Sequence, residues 1–507
     1  MVQQYPLPSP KATYRSLAFY FTGTSGPTPG ATRQPRQNMN LPTRTKLAFG
    51  FGSLAFGIKD QGFNALLMLY YNQVIGLPAS QVGLAILIAT LVDALLDPLI
   101  GQMSDHHRSS WGRRHPFMYG AALPMAVAYA LFWSPPEGSQ NLQMAWLLLT
   151  SIAVRVSISL YEIPSAALMA ELTHDYDERT ALSTYRSLFM AIGLVGMGIL
   201  VFKLFLAPTA EQPVGQLNAE GYVQYGYVAA AIMLLSVLVA ARGTHDRIPF
   251  LMSSVTERSK ESLLSSLKLL FTDRAYVSVV LCIFFFAVAG GVSTALGTYV
   301  NTYFWKLQAG QLAAIAGGYG LGVILGLVIA ALSRNHGKKT VIIVAYLMAL
   351  IAFVTLVSLA LMGYIDRSPA KMMPLLILQG TLIGASILAA LIMGGSMLAD
   401  VADHVELKTG RRMEGLMFSA LIMVQKGVSG MGVFLSGVIL TFVGFPEKAD
   451  PATISPAIVD HLGLIYVLGI GATVLLALVS ISFYPISRQT HERTLAALQA
   501  QRAGGVA

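Results

Sequence analysis

Carboxylates are rare inside apolar runs such as LVDALLDPLIG, which makes Asp93 and Asp97 the first residues to weigh for chemistry. A charge at the centre of a bilayer costs roughly 2.5–3.5 kcal/mol on insertion scales, so an ionisable group kept there marks function by default. The i,i+4 spacing puts both carboxylates on one helix face, about 5–6 Å apart at Cβ. Two adjacent anions in a low dielectric do not both stay ionised unless a cation or base compensates them. Carboxylate, hydroxyl and carbonyl oxygens suit a small hard cation such as Na+. A proton shared by the pair is equally sound physics. Pro98 frees a backbone carbonyl one turn back, near Ala94, as a further oxygen. The plainer reading is a structural pair bonded to Arg or Lys on a neighbouring helix.

Few other ionisable residues lie at comparable depth. In AVRVSISLYEIPSAAL, Arg155, Ser159 and Glu162 follow an i, i+4, i+7 stripe and share a face. Ser159 can lend a hydroxyl to a cation, and Glu162 can accept from substrate hydroxyls. Arg155 either works with them or simply neutralises Glu162. Arg186, in STYRSLFMAIG, is a candidate clamp for a hydroxylated or anionic substrate, with snorkelling to the interface as the bland alternative. Lys426 follows Gln425 about three turns inside SALIMVQKGVSG, too deep to snorkel easily. Its natural partner is the Asp93/Asp97 pair. Asp60 and Asn64 in GIKDQGFNALLMLYY are i,i+4 and can face a polar cavity, unless Asp60 is only paired to Lys59 beside Gly57 and Gly62. Asp105, Arg113 and Arg114 in one loop, and Asp400, Asp403, Arg411 and Arg412 in another, read as gating latches. His106, His107 and His115 read as a solvated loop rather than a metal site.

These residues must be held by membrane-spanning helices. The chain has 507 residues, 54% hydrophobic and only 12% charged, with mean hydropathy +0.61. A soluble domain carries about 25% charged residues, and disordered chains are poor in apolar ones. At about 20 apolar residues per span, the length accommodates about twelve. The expected spans are 47–71, 80–104, 116–135, 143–171, 181–206, 222–242, 276–303, 309–333, 340–363, 373–399, 414–445 and 460–484. The proline-rich residues 1–40 read as a disordered tail, with Met39 as a candidate start. Residues 41–242 and 276–485 then form two six-span bundles, joined by a cytoplasmic loop at 243–275 and followed by a tail at 486–507.

Lys and Arg fall overwhelmingly in the loops on one side, which makes that side and both termini cytoplasmic. The net charge of +9 therefore records topology and gives no reason to expect nucleic acid. Cys282 is the single cysteine, which excludes a disulfide framework. Phosphate-binding glycine loops, nucleophile elbows and HExxH are absent, so the chain reads as no enzyme and needs no cofactor. SDHHRSSWGRR after the second span and SRNHGKK after the eighth both put a basic cluster beside a glycine, as an internal repeat would. Two halves with equivalent loops suit alternating access by rocking.

The run VDALLDPLIGQMSDHHRSSWGRRHPF resembles a long signature of the glycoside–pentoside–hexuronide:cation symporters of the major facilitator superfamily. YEIPSAALMAELTHDYDERTALSTYRS, MLADVADHVELKTGRRMEG and the QKG of the eleventh span resemble further regions of the same family. The resemblance implies the major facilitator fold, all-α with about twelve helices in two six-helix pseudo-repeat bundles, in a plasma membrane, expected to be a bacterial inner membrane. It implies Asp93, Asp97, Ser159 and Lys426 as the cation site, with Na+ as the metal if sodium couples. It implies Asp60, Glu162 and Arg186 as sugar contacts, with Asn64 beside Asp60. The implied partners are a small hydroxylated solute and the bilayer, and the implied state is a monomer. Ala166 and Leu391 stand where the melibiose permease has sugar-stacking tryptophans. That departure keeps an amphipathic substrate such as a lysolipid, or an uncoupled uniporter, open as alternatives.

Overall fold

Every run expected to cross a membrane is helical in the computed structural model, which describes residues 41–173, 175–251, 270–331, 336–410 and 413–504. Ten described helices are long and apolar enough to span a bilayer. The two remaining expected spans are helical as well. The first is a segmented rod: α1 (Thr43–Phe51), α2 (Leu54–Gln61), then π-helical turns at Gly62–Leu66 and Tyr70–Ile75 flanking a short α segment. The third is α4 (His115–Phe132), 18 residues long. Between them lies α3 (Ala79–His106). The first half is completed by α5 (Gln140–Leu172), α6 (Tyr176–Leu200) and α7 (Ala219–His245). The second half comprises α8 (Arg274–Tyr299), α9 (Ala309–Ala331), α10 (Lys338–Leu361), α11 (Pro369–Thr409), α12 (Glu414–Val443) and α13 (Pro456–Ser482). A last helix, α14 (Arg488–Gly504), packs on α11.

The ends of these helices follow local chemistry. Ser139, Asp175, Asn218 and Asp273 each accept a hydrogen bond from an orphan backbone N–H in the first turn of α5, α6, α7 and α8. Gly76 ends the first rod at φ +96°, a conformation that favours glycine. The faces sort by solvent. On α3, Leu91, Leu95, Leu99 and Met103 recur every four residues and stand exposed, the pattern of a lipid-facing stripe, while Asp93 is 6% exposed.

The halves meet along α3 and α12, and along α6 and α9. Small residues permit the first approach: a Cβ at Gly430 would strike Thr90, and one at Gly83 would strike the Phe434 backbone. At the end of the bundle marked by Gly76, opposite the start of the first rod at Thr43, side chains from the two halves are bonded together. Tyr299 donates to the Met68 carbonyl and to Asn72 Oδ1 at 3.0 and 2.8 Å. Tyr303 donates to Gln73 Oε1 at 2.9 Å, and Gln216 donates to Thr302 Oγ1 and the Leu307 carbonyl. Gln73, 4% exposed, also donates to the Pro446 carbonyl and accepts from the Ala449 N–H. This end is sealed by bonds across the halves.

Candidate functional site: a charged cluster between the halves

The close approach of α3 and α12 sets Lys426 beside Asp97. The ammonium lies 2.6 Å from Asp97 Oδ2 and 3.9 Å from Glu162 Oε2 of α5. Asp97 and Lys426 are separated by 329 residues and come from opposite halves. One turn earlier on α3, Asp93 Oδ1 accepts a 2.7 Å hydrogen bond from Ser159. Its Oδ2 faces Arg155 Nη1 at 4.0 Å. The Arg155 guanidinium lies over the Phe63 ring, 5.5 Å from its centroid. Asp97 Oδ1 and Arg155 Nε are buried without a hydrogen-bond partner.

All four expected cation-site residues, Asp93, Asp97, Ser159 and Lys426, thus meet in one cluster, with Glu162 and Arg155 beside them. Arg155 reaches across to Asp93 of α3, where the stripe of α5 had set it beside Glu162. Among the described residues no three His, Cys, Asp or Glu side chains converge as a metal-holding group. Any cation at Asp93 and Asp97 must therefore draw on hydroxyl and carbonyl oxygens as well.

Next to the cluster lies a central cavity of about 680 Å³. Its walls come from both halves. Asp60, Gln61 and Asn64 project from the first rod; Asn301, Gln379 and Gln425 from the second half. Asn64 and Asn301 both sit in π-helical turns, Asn64 midway along the first span and Asn301 at the end of the seventh. Such turns are frequent at functional sites. Of the expected substrate contacts, Asp60 and Asn64 line the cavity, and Asp60 is also paired with Lys59. Glu162 and Arg186 are not among its walls: Glu162 turns to Lys426, and Arg186 lies over the Phe49 ring, 5.7 Å from its centroid. Sequence reasoning found Asn64 but missed Gln61, Asn301 and Gln379, because a neutral amide in an apolar run carries too small a penalty to stand out.

Of the residues expected to act as latches, Asp105, Arg113, Arg114 and Asp400 are paired within their own halves. Arg114 binds Asp105 at 2.6 Å and Glu171 at 2.9 Å, and Arg113 binds Glu171 at 3.0 Å. All four residues belong to the first half, so these bonds brace α3, α4 and α5 against one another. Glu171, buried between two arginines, was not singled out from sequence. In the second half Asp400 takes Lys338 at 2.6 Å and His491 of α14 at 3.4 Å. Asp403 lies one turn further along α11. Arg411 and Arg412 lie outside the described residues, as do the proline-rich tail and Met39.

A two-half helical bundle with ionisable groups and a cavity between its halves fits the class of polytopic membrane carriers. Residues 48–488 match the family described as MFS/sugar transport protein, and the chain belongs to that family. It is 27% identical over 458 residues to an isoprimeverose transporter of Lactiplantibacillus pentosus, covering 88% of this chain and 90% of that one. It is 22% identical over 523 residues to the sodium-dependent lysophosphatidylcholine symporter 1 of Gallus gallus, covering 94% and 93%. Among solved structures it superposes on the inward-open xylose transporter XylE of E. coli with a TM-score of 0.61 at 14% identity, covering 89% of this chain and 98% of that one. That likeness establishes the major facilitator fold of a multi-pass membrane protein.

Proposed function

We propose that the chain is a secondary symporter that couples uptake of a sugar, glycoside or related hydroxylated solute to a cation, Na+ or H+, by alternating access. The observation that carries this is the Asp97–Lys426 pair, which joins the two halves beside the cavity and leaves one Asp97 oxygen unpartnered. A cation arriving at Asp93 and Asp97 competes with Lys426 for the same carboxylates. Cation binding is thereby linked to the contact between halves, which is the coupling a symporter requires. The solute would sit in the cavity, where the amides of Asn64, Asn301, Gln379 and Gln425 and the carboxylate of Asp60 supply donors and acceptors.

The asymmetry of Lys and Arg supports a plasma-membrane orientation with both termini cytoplasmic. On that orientation the sealed end faces outward, as it would in an inward-facing carrier. Rocking about α3–α12 and α6–α9 would break the Tyr299–Asn72 and Tyr303–Gln73 bonds. The bracing of α3, α4 and α5 by Glu171 would keep the first half rigid as it moves. Nothing in this scheme requires an enzyme step or a resident cofactor, and one chain suffices.

A second reading, transport of an amphipathic solute such as a lysolipid, is favoured by the apolar walls. Leu194, Val195, Ile283, Phe286 and Ile387 face the same cavity. A thermal-melting panel of sugars, glycosides, hexuronates and lysolipids, each with imposed Na+ or pH changes, separates the two. By linkage a substrate raises the melting temperature. A response confined to lysolipids would overturn the sugar reading, and uptake indifferent to every ion gradient would overturn coupling.

A further inference from the structure

Asp93 and Asp97 each already face a cation supplied by the protein itself. Asp97 Oδ2 holds Lys426 at 2.6 Å. Asp93 Oδ1 holds the Ser159 hydroxyl, and Asp93 Oδ2 faces the Arg155 guanidinium at 4.0 Å. With Glu162 Oε2 also 3.9 Å from Lys426, three carboxylates meet two resident cations, and Asp97 Oδ1 is the one oxygen of the Asp93–Asp97 pair with no partner. Lys426 and Arg155 are not equivalent. Lys426 is a flexible ammonium on the opposite half, able to leave when the halves part. The Arg155 side chain is 10% exposed and is on the same half as Asp93. Its guanidinium is confined by the ring of Phe63 and cannot lose its charge.

We infer that Arg155 is a resident cation that bars sodium from the Asp93–Asp97 site and so determines which ion this carrier uses. A sodium ion seated on Asp93 Oδ2 enters the 4.0 Å gap already faced by the guanidinium. At an effective dielectric of about 20, unit charges about 4 Å apart repel strongly enough to weaken binding on the order of a thousandfold. Arg155 Nε, buried without a partner, fits a group held for its charge and not for a full set of hydrogen bonds. The inference rests on the reading of the chain as a cation-coupled carrier, and it selects against sodium within that reading.

The test uses the purified full chain titrated with NaCl against choline chloride at constant ionic strength, read by calorimetry and thermal melting. The wild type should show no saturable sodium binding. Arg155→Ala should gain it, with affinity higher on the order of a thousandfold, and Arg155→Ala/Asp93→Asn should lose it again. If Arg155→Ala does not fold, Arg155→Gln keeps most of the bulk and removes the charge, with the same expected gain. Saturable sodium binding by the wild type that Asp93→Asn abolishes overturns the inference. So does a folded Arg155→Ala or Arg155→Gln that binds sodium no better than the wild type. Failure here is distinguishable from failure of the symporter reading. Sodium-driven solute uptake by the wild type would refute the role of Arg155 and leave the symporter standing. Uptake without any ion dependence would refute the symporter, while sodium binding gained by Arg155→Ala would still bear out the inference.

Discussion

Replacing Gln73 by Ala should unseal the Gly76 end of the bundle. Its side chain donates to the Pro446 carbonyl at 3.0 Å and accepts from Tyr303 at 2.9 Å and from the Ala449 N–H at 2.8 Å. Truncation strands the Pro446 carbonyl and the Ala449 N–H, whereas Tyr303 keeps its 3.1 Å bond to the Ala449 carbonyl. An orphaned buried polar group costs about 1–3 kcal/mol, towards the lower end where water can fill the space left. Two such groups place the loss at about 2–4 kcal/mol, all of it in the sealed state because these bonds cross the halves. The ratio of unsealed to sealed protein should therefore rise roughly 30- to 700-fold. The assay is labelling of a single cysteine at the cavity wall, Asn301→Cys in a Cys282→Ser background, by a membrane-impermeant maleimide added from the Gly76 side. Cys282 is the only native cysteine, so the background is clean. An unchanged labelling rate in Gln73→Ala would refute the view that this network holds the end shut.

Three further outcomes follow from other contacts. In a double-mutant cycle, Lys426→Ala and Asp97→Asn should couple by about 1.5–3 kcal/mol, the range for a charge-assisted bond; additive losses of melting stability would remove the pair as an energetic link. Gly430→Val should separate α12 from α3 and abolish solute uptake, since the added side chain meets Thr90; retained uptake would show the approach is not needed. Burial raises the Asp273 carboxyl, but the Lys408 ammonium and the N–H groups of Tyr276 and Ala275 outweigh it and hold it below its ordinary value. A depressed folded value stabilises above the unfolded value and is lost as pH falls through the folded one. The deficit of Asp273→Ala, about 1 kcal/mol for a lost cap, should thus be full at neutral pH and fade on acidification. A deficit independent of pH would contradict this.

The spans were legible because apolar length and Lys/Arg placement are properties of single segments. The charged residues proposed for the cation site stood out because charges in apolar runs are costly, and their spacing fixed which of them share a face. Partnerships between segments were less so. Lys426 was matched to the Asp93/Asp97 pair by depth and charge alone, and the structure seats it on Asp97 specifically. The direction in which Arg155 points was not decidable, because a stripe shared with Glu162 allows either carboxylate. Gln73, Gln216 and Gln379 escaped notice since a neutral amide is tolerated in many spans. Their roles appear only when Gln73 is found bonding across to Tyr303 and Ala449. Glu171 escaped for a similar reason. It ends a helix near charged loops, where acidic residues are ordinary, and only the folded chain brings Arg113 and Arg114 to it.

The central claim is that the Asp93–Asp97 cluster couples an ion to movement of a solute through the cavity. Its most direct test is accumulation, in proteoliposomes under an imposed proton or sodium gradient, of the solute that most raises the melting temperature, compared with counterflow of the same solute at zero gradient. Asp93→Asn and Asp97→Asn should retain counterflow and lose gradient-driven accumulation. Accumulation undiminished in both variants would contradict the account.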